Sequence, residues 1–132
     1  PLPRDDHAQA VADIAIEMIA TLDRLNAANG TDLKIRVGIN TGPIVAGVIG
    51  KRKFTYDLWG DTVNLASRME SSGLPGMIHV SESTQQALRD DFVLEARGNT
   101  HCKGIGEVPT YFLKARKALV WNAVGTMVNP VA

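Results

Sequence analysis

Apolar residues near the start of the chain recur at steps of three and four positions, which predicts an amphipathic helix. Asp5 or Asp6 can cap its first turn, and Asn29-Gly30 can end it. We expect the larger apolar residues of this helix to cover the rest of the fold: Val11, Ile14, Ala15, Met18, Leu22 and Leu25.

The apolar period shortens to two after Lys34, where Ile35, Val37 and Ile39 alternate with polar or small residues. A turn over residues 41–43 then leads into an apolar run over residues 44–49, so a strand, a tight connection and a second strand are predicted. Glycine is dense here for a strand region. It marks either a bulge or a close approach of another backbone or a ligand.

The rest of the chain alternates between the two kinds of element. We predict an extended piece over residues 54–59, a helix capped by Asp61 or Thr62 and closed near Gly73, and a short strand over residues 77–80. Ser83 and Gln86 resemble a capping box for a helix that reaches residue 91. Three short strands follow, over residues 92–97, 100–103 and 109–114. This alternation predicts an α/β (α+β) fold, a mixed sheet with helices packed on it.

Composition narrows the choice of partners and compartment. The chain has 132 residues, with 14 Lys and Arg against 14 Asp and Glu, so it lacks the positive excess that nucleic-acid binding requires. A single cysteine, Cys102, excludes an internal disulfide and favours a cytoplasmic location. The chain would then be a cytoplasmic protein or the cytoplasmic domain of a membrane-tethered protein. No apolar run is long enough to span a bilayer, so we expect no membrane contact by this segment.

Candidate chemistry is concentrated in residues 56–70, which read YDLWGDTVNLASRME. Asn64 and Arg68 are four residues apart on the predicted helix, so they project from one face about a turn from each other. Taken alone, such a pair is more often solvated surface than a binding site.

Residues 56–70 resemble the signature segment of class III adenylate and guanylate cyclases. Residues 36–43, RVGINTGP, resemble the hairpin that precedes it in that family. Two matches in order are far more specific than one glycine motif. The resemblance runs from residue 6 to residue 113 and implies a ferredoxin-like cyclase catalytic domain lacking its N-terminal part. We therefore assign residues 1–116 to a partial catalytic domain and residues 117–132 to a C-terminal extension.

The resemblance implies roles for three residues of the signature. Asp57 matches the residue that accepts a hydrogen bond from the adenine amine, which favours ATP because a carboxylate would repel the guanine O6 acceptor. A strand-end cap is an equally good interpretation of Asp57 from the sequence alone. Asn64 matches the catalytic residue that orients the ribose and supports the transition state. Arg68 matches the one that contacts the phosphates, which suits the paired donors of a guanidinium.

The resemblance also implies phosphate contacts for two further residues. Lys103 matches a lysine that reaches the terminal phosphates from a hairpin loop, although a solvated loop charge is a credible alternative. The family often has a second lysine where Ile105 stands, so this loop departs from the common pattern. Arg36 matches an arginine that touches the terminal phosphates from the opposite subunit's side of the site.

The family forms cyclic AMP and pyrophosphate at a composite dimer interface, with Mg²⁺ or Mn²⁺ held by two aspartates. Those aspartates lie in upstream motifs that do not occur in this sequence. We therefore expect no metal ligands in this chain and no activity by the chain alone. The expected partners, in cyclic AMP signalling, are ATP and a second cyclase domain in a homodimer. The alternative function is a non-catalytic nucleotide-binding or dimerisation module derived from a cyclase domain.

Overall fold

The computed structural model describes residues 7–42, 56–117, 120–121 and 127–128, with the side chains of residues 7–42 and 61–117. Three helices occur in this part of the chain: α1 (His7–Asn29), α2 (Tyr56–Ser71) and α3 (Glu82–Leu88). It also contains these strands: β1 (Val37–Ile39), β2 (Ile78–Ser81), β3 (Phe92–Cys102), β4 (Gly106–Arg116), β5 (Val120–Trp121) and β6 (Met127–Val128). None of the described helices is both long enough and apolar enough to cross a membrane.

The main sheet has four strands in the order β1-β2-β4-β3. β1 runs parallel to β2, whereas β2 and β4, and β3 and β4, are antiparallel. The predicted mixed sheet with helices packed on it is therefore confirmed. β5 and β6 pair with each other in a separate antiparallel ladder of two residues each.

Helix α1 matches its predicted end, since Gly30 follows it with a φ of 67°. The predicted buried face is wrong for most of its members. The helix turns Ala8, Ala12 and Ala15 into the core, and the partly buried Ile16 and Ile19 pack against that core. Most of the residues predicted to be buried are exposed instead: Val11, Ile14, Met18 and Leu25. The alanines recur at the same helical period, and their small side chains allow a close approach to the sheet.

Helix α2 rests directly on β1. A Cβ atom added at Gly38 would lie 2.1 Å from the backbone nitrogen of Glu70, so the two backbones are in contact at this point. The sequence left two interpretations of glycine in this region, a bulge or a close approach of another backbone or a ligand, and Gly38 lies at a close approach of the backbone of α2. A second tie lies nearer the start of the helix, where Asn40 Nδ2 donates to the carbonyl oxygen of Thr62 at 2.9 Å.

Helix α2 also begins earlier than predicted. The backbone is already helical at Tyr56, so the extended interpretation of residues 56–59 is wrong, and Asp61 and Thr62 lie inside the helix and not at its cap. Once a turn has formed, each added residue gains a hydrogen bond, and one internal glycine costs only about 1 kcal/mol. The predicted caps at Asp5 and Asp6, the strand over residues 44–49 and residues 54–55 lie outside the described residues.

Two predictions near the end of the chain were also wrong. Ser81, not Ser83, is the N-cap of α3, because the hydroxyl of Ser83 instead donates to the carbonyl oxygen of Thr41 at 2.7 Å. The strands predicted over residues 92–97 and 100–103 are one strand, β3. An irregularity in register next to Gly98, whose φ is 100°, absorbs the expected break as a bulge.

Candidate functional site

A polar cleft of about 240 Å³ opens between helix α2 and the loop that joins β3 to β4. Among the described residues, its lining comes from these two elements: Asp61, Asn64 and Arg68 from the helix, and Lys103, Gly104 and Ile105 from the loop. Residues some forty positions apart in the sequence therefore share one concave surface.

The helix wall owes its shape to spacing. Asp61, Asn64 and Arg68 follow each other at steps of three and four residues, so they fall along one face. Arg68 lies in the last turn of α2, where the negative end of the helix dipole favours a cation. Asn64 and Arg68 are half-buried, whereas Asp61 is exposed. A partly desolvated guanidinium in this position suits an anionic group.

The loop wall is shaped by glycine. Gly104 and Gly106 have φ values of 81° and 110°, which residues other than glycine rarely adopt. The backbone nitrogen of Ile105 donates to the carbonyl oxygen of Cys102 at 2.9 Å and closes the turn. Lys103 is exposed at this turn, so its ammonium group can reach over the cleft.

Cys102 lies buried behind the loop and carries no disulfide. Burial raises the pKa of its thiol, and the positive charge of Arg68 acts in the opposite direction. The thiol therefore stays protonated at neutral pH and serves as a small core group beneath the cleft, not as a nucleophile.

The structure brings together three of the five predicted site residues, namely Asn64, Arg68 and Lys103. Arg36 lies elsewhere, with its Nη2 atom 2.9 Å from Oε2 of Glu70. Glu70 is two residues after Arg68, so it projects from nearly the opposite side of α2. Arg36 is thus directed away from this chain's own cleft.

Asp57 lies in the first turns of α2, but its side chain is outside the described residues. Its predicted contact with adenine stays a prediction.

Three lining residues were not among the predicted ligands of the site: Asp61, Gly104 and Ile105. Asp61 was interpreted as a helix cap, although its spacing from Asn64 and Arg68 places it on the same face. Ile105 was considered only as a departure from the family pattern; its side chain is 42% exposed at the edge of the cleft. The helical period could have identified Asp61, but the sequence carries no signal for Ile105.

The cleft is poorly suited to hold a metal ion by itself. It carries one carboxylate beside two cations, and divalent ions of the Mg²⁺ type need several oxygen ligands. Across the described part of the chain, His, Cys, Asp and Glu side chains form no group of three or more that could bind a metal. These residues do not make a complete Mg²⁺ or Mn²⁺ site.

Comparison with known proteins identifies relatives over most of the chain. Residues 1–115 match the family described as the adenylate and guanylate cyclase catalytic domain. The chain is 49% identical over 117 residues to an adenylate cyclase of Mycobacterium tuberculosis, covering 89% of this chain and 26% of that protein. It is 47% identical over 115 residues to the guanylate cyclase soluble subunit beta-2 of Rattus norvegicus, covering 86% of this chain and 17% of that protein.

Solved structures share the fold. The guanylate cyclase domain of RhGC from Catenaria anguillulae, in complex with GTP, aligns with a TM-score of 0.72 and 38% identity, over 88% of this chain and 63% of that one. The non-canonical dimeric guanylyl cyclase domain of the RhoGC fusion protein from Blastocladiella emersonii aligns at 0.67 and 31%, over 89% and 64%. The predicted cyclase catalytic-domain fold is thereby confirmed. This chain spans about two thirds of those domains.

Proposed function

The chain belongs to the family of adenylate and guanylate cyclase catalytic domains, and from this premise we propose that it supplies the nucleotide-gripping part of an adenylate cyclase site. The observation that carries the proposal is the cleft shared by Asn64, Arg68 and Lys103. An amide, a guanidinium and an ammonium group on facing walls suit a ribose and a polyphosphate.

The proposed reaction closes a ring within ATP. The ribose 3′ oxygen forms a bond to the α-phosphorus and loses its proton. The bond from that phosphorus to the bridging oxygen breaks, and pyrophosphate leaves with the negative charge. Arg68 and Lys103 stabilise that charge as it develops, while Asn64 orients the ribose. Mg²⁺ or Mn²⁺ would assist this chemistry, with ligands from residues other than those lining the cleft.

A composite site follows from the same premise. The direction of Arg36, away from the cleft of its own chain and held by Glu70, supports a role in the site of a second cyclase domain. In a homodimer each chain would then contribute Arg68 to one site and Arg36 to the other.

Nucleotide titration followed by NMR tests the cleft. ATP or pyrophosphate should shift the amide signals of Asn64, Arg68, Lys103 and Gly104. Arg68→Ala or Lys103→Ala should each weaken binding by about one to two orders of magnitude, since a charge-assisted hydrogen bond contributes about 1.5 to 3 kcal/mol. Arg24→Ala is the matched control, because Arg24 is an exposed arginine paired with Glu17 on α1. Binding that is unaffected by both cleft variants would refute the proposal.

Base choice is a separate part of the proposal, since adenylate and guanylate cyclases are nearly equally similar to this chain. In a cyclase polypeptide that contains this segment, Asp57→Cys should lower kcat/KM for ATP by roughly one to two orders of magnitude, because the adenine amine loses its acceptor. Competition between ATP and GTP measures the effect. An unchanged ATP to GTP preference would remove Asp57 from the base pocket.

A further inference from the structure

The last turn of α2 is held by a buried histidine that the cleft does not use. His79 on β2 is 0% exposed, and its Nδ1 atom lies 2.9 Å from the carbonyl oxygen of Met69. Its Nε2 atom lies 3.2 Å from Nη1 of Arg97. A guanidinium has only donors, so Nε2 must accept, and the ring proton therefore sits on Nδ1 and is donated to Met69.

Arg97 on β3 extends this contact to the residue after the helix. Its Nη1 atom also donates to the carbonyl oxygen of Ser72 at 2.7 Å. The guanidinium stands over the ring of Phe112 at 5.3 Å, and that ring lies 5.4 Å from the ring of His79. Stacking and hydrogen bonding together leave Arg97 little freedom to move.

These bonds hold the backbone immediately after Arg68. The backbone nitrogen of Ser72 donates to the carbonyl oxygen of Arg68 at 2.9 Å, and the hydroxyl of Ser72 donates to the same oxygen. The carbonyl oxygens of residues 68, 69 and 72 are thus all occupied, two of them by side chains from the sheet. Final helical turns otherwise fray, because their carbonyl groups have no partner within the helix.

We propose that His79 and Arg97 are positioning residues for Arg68, which clamp the last turn of α2 so that the guanidinium of Arg68 stays in the cleft. The inference rests on the proposed function, in which that cleft binds the polyphosphate. Neither residue lines the cleft. Both act through the backbone, since the direction of a long side chain follows from the backbone that carries it.

His79→Phe is the sharpest variant. It keeps an aromatic ring beside Phe112 and removes both hydrogen bonds. It changes no charge, since His79 is neutral, so any loss of anion binding cannot come from a weaker field. His79→Gln is the rescue variant, because an amide can donate to Met69 and accept from Arg97. Arg116→Ala is the control, since Arg116 lies over Phe92 and pairs with Asp13 on the α1 side of the sheet.

The first measurement is NMR relaxation of the Arg68 side-chain Nε–H group in the chain without ligand. We expect the order parameter to fall in His79→Phe, to recover in His79→Gln and to remain unchanged in Arg116→Ala. Thermal unfolding of each variant confirms that it is folded at the temperature of the measurement. An unchanged order parameter in folded His79→Phe would overturn the inference. Should that variant not fold, Arg97→Met takes its place as the variant that lacks one of the hydrogen bonds to the end of α2, and it is compared with His79→Gln, which keeps them.

The second measurement is a double-mutant cycle with pyrophosphate as the ligand. His79→Phe should weaken binding about three- to tenfold in the original chain and not at all when Arg68→Ala is already present, because a positioning residue acts only through its target. Equal losses in both backgrounds would refute the inference. If pyrophosphate does not bind the original chain, the proposed function fails, and the Arg68 order parameter still decides the inference.

Discussion

At the scale of the residue, burial lowers the pKa of His79 below its usual value of 6.5, and the nearby charge of Arg97 acts in the same direction. The hydrogen bond to Met69 acts in the opposite direction, with a smaller effect than burial and a larger one than Arg97. Between the folded and unfolded pKa values, the unfolded chain binds a proton at this position and the folded chain does not. The contribution of His79 therefore makes the free energy of unfolding decrease as the pH falls below about 6.5.

This dependence is testable by urea unfolding from about pH 7.5 to about pH 5.5, the range in which histidine titrates. The original chain should lose more stability on acidification than His79→Gln, because glutamine does not titrate. Other groups that titrate in this range are common to both proteins, so their contributions cancel in the difference. Parallel stability curves for the two would show that His79 takes up its proton equally in the folded and unfolded states.

At the scale of the element, the position of α2 depends on Gly38. A methyl group there would lie 2.1 Å from the backbone nitrogen of Glu70, so β1 and α2 must separate to accept it. Gly38→Ala should cost about 1 to 3 kcal/mol or more, the usual range for an overpacked interior. It should also weaken pyrophosphate binding, because α2 carries Asn64 and Arg68 with it. Chemical unfolding and NMR titration measure the two effects.

Gly30→Ala is the matched control for that experiment. Gly30 has a φ of 67° and no atom within 4 Å of an added Cβ, so alanine there meets backbone strain without a clash. We expect a cost of about 1 to 2 kcal/mol and unchanged pyrophosphate binding. If Gly38→Ala also left binding unchanged, the packing of α2 on β1 would not govern the cleft.

At the scale of the whole molecule, α1 is held to the sheet by an ion pair and by small side chains. Nε and Nη2 of Arg116 donate to the two carboxylate oxygens of Asp13 at 3.0 and 2.7 Å. The core beneath consists of alanines from α1 together with residues of the sheet and α3: Ile39, Ile78, Val80, Leu88, Phe92 and Leu113. Among the larger apolar side chains of α1, Ile16 and Ile19 pack against this core, whereas Val11, Ile14, Met18 and Leu25 are exposed.

The reaction itself belongs to this scale. We predict that the isolated chain forms no cyclic AMP from ATP with Mg²⁺ or Mn²⁺, because the residues that line the cleft, proposed above to contact phosphate and ribose, include no set of metal ligands. Addition of a cyclase domain that carries the two metal aspartates should produce activity, and Arg68→Ala in this chain should then abolish most of it. Turnover by the pure chain, verified by mass, would contradict the prediction.

Most helices and strands, the family and the placement of Asn64 and Arg68 on one helix face could be predicted from the sequence, because periodicity and a long motif are local. The helical start of α2 at Tyr56 and the union of two predicted strands into β3 were not predicted. The sequence alone could not show which face of α1 is buried, since alanines and larger apolar residues recur with the same helical period. Contacts between distant segments decided the rest. Lys103 and Arg68 line the same cleft. Glu70 forms an ion pair with Arg36 on another side of α2. The sheet places His79 beside the end of α2, where the ring hydrogen-bonds to Met69.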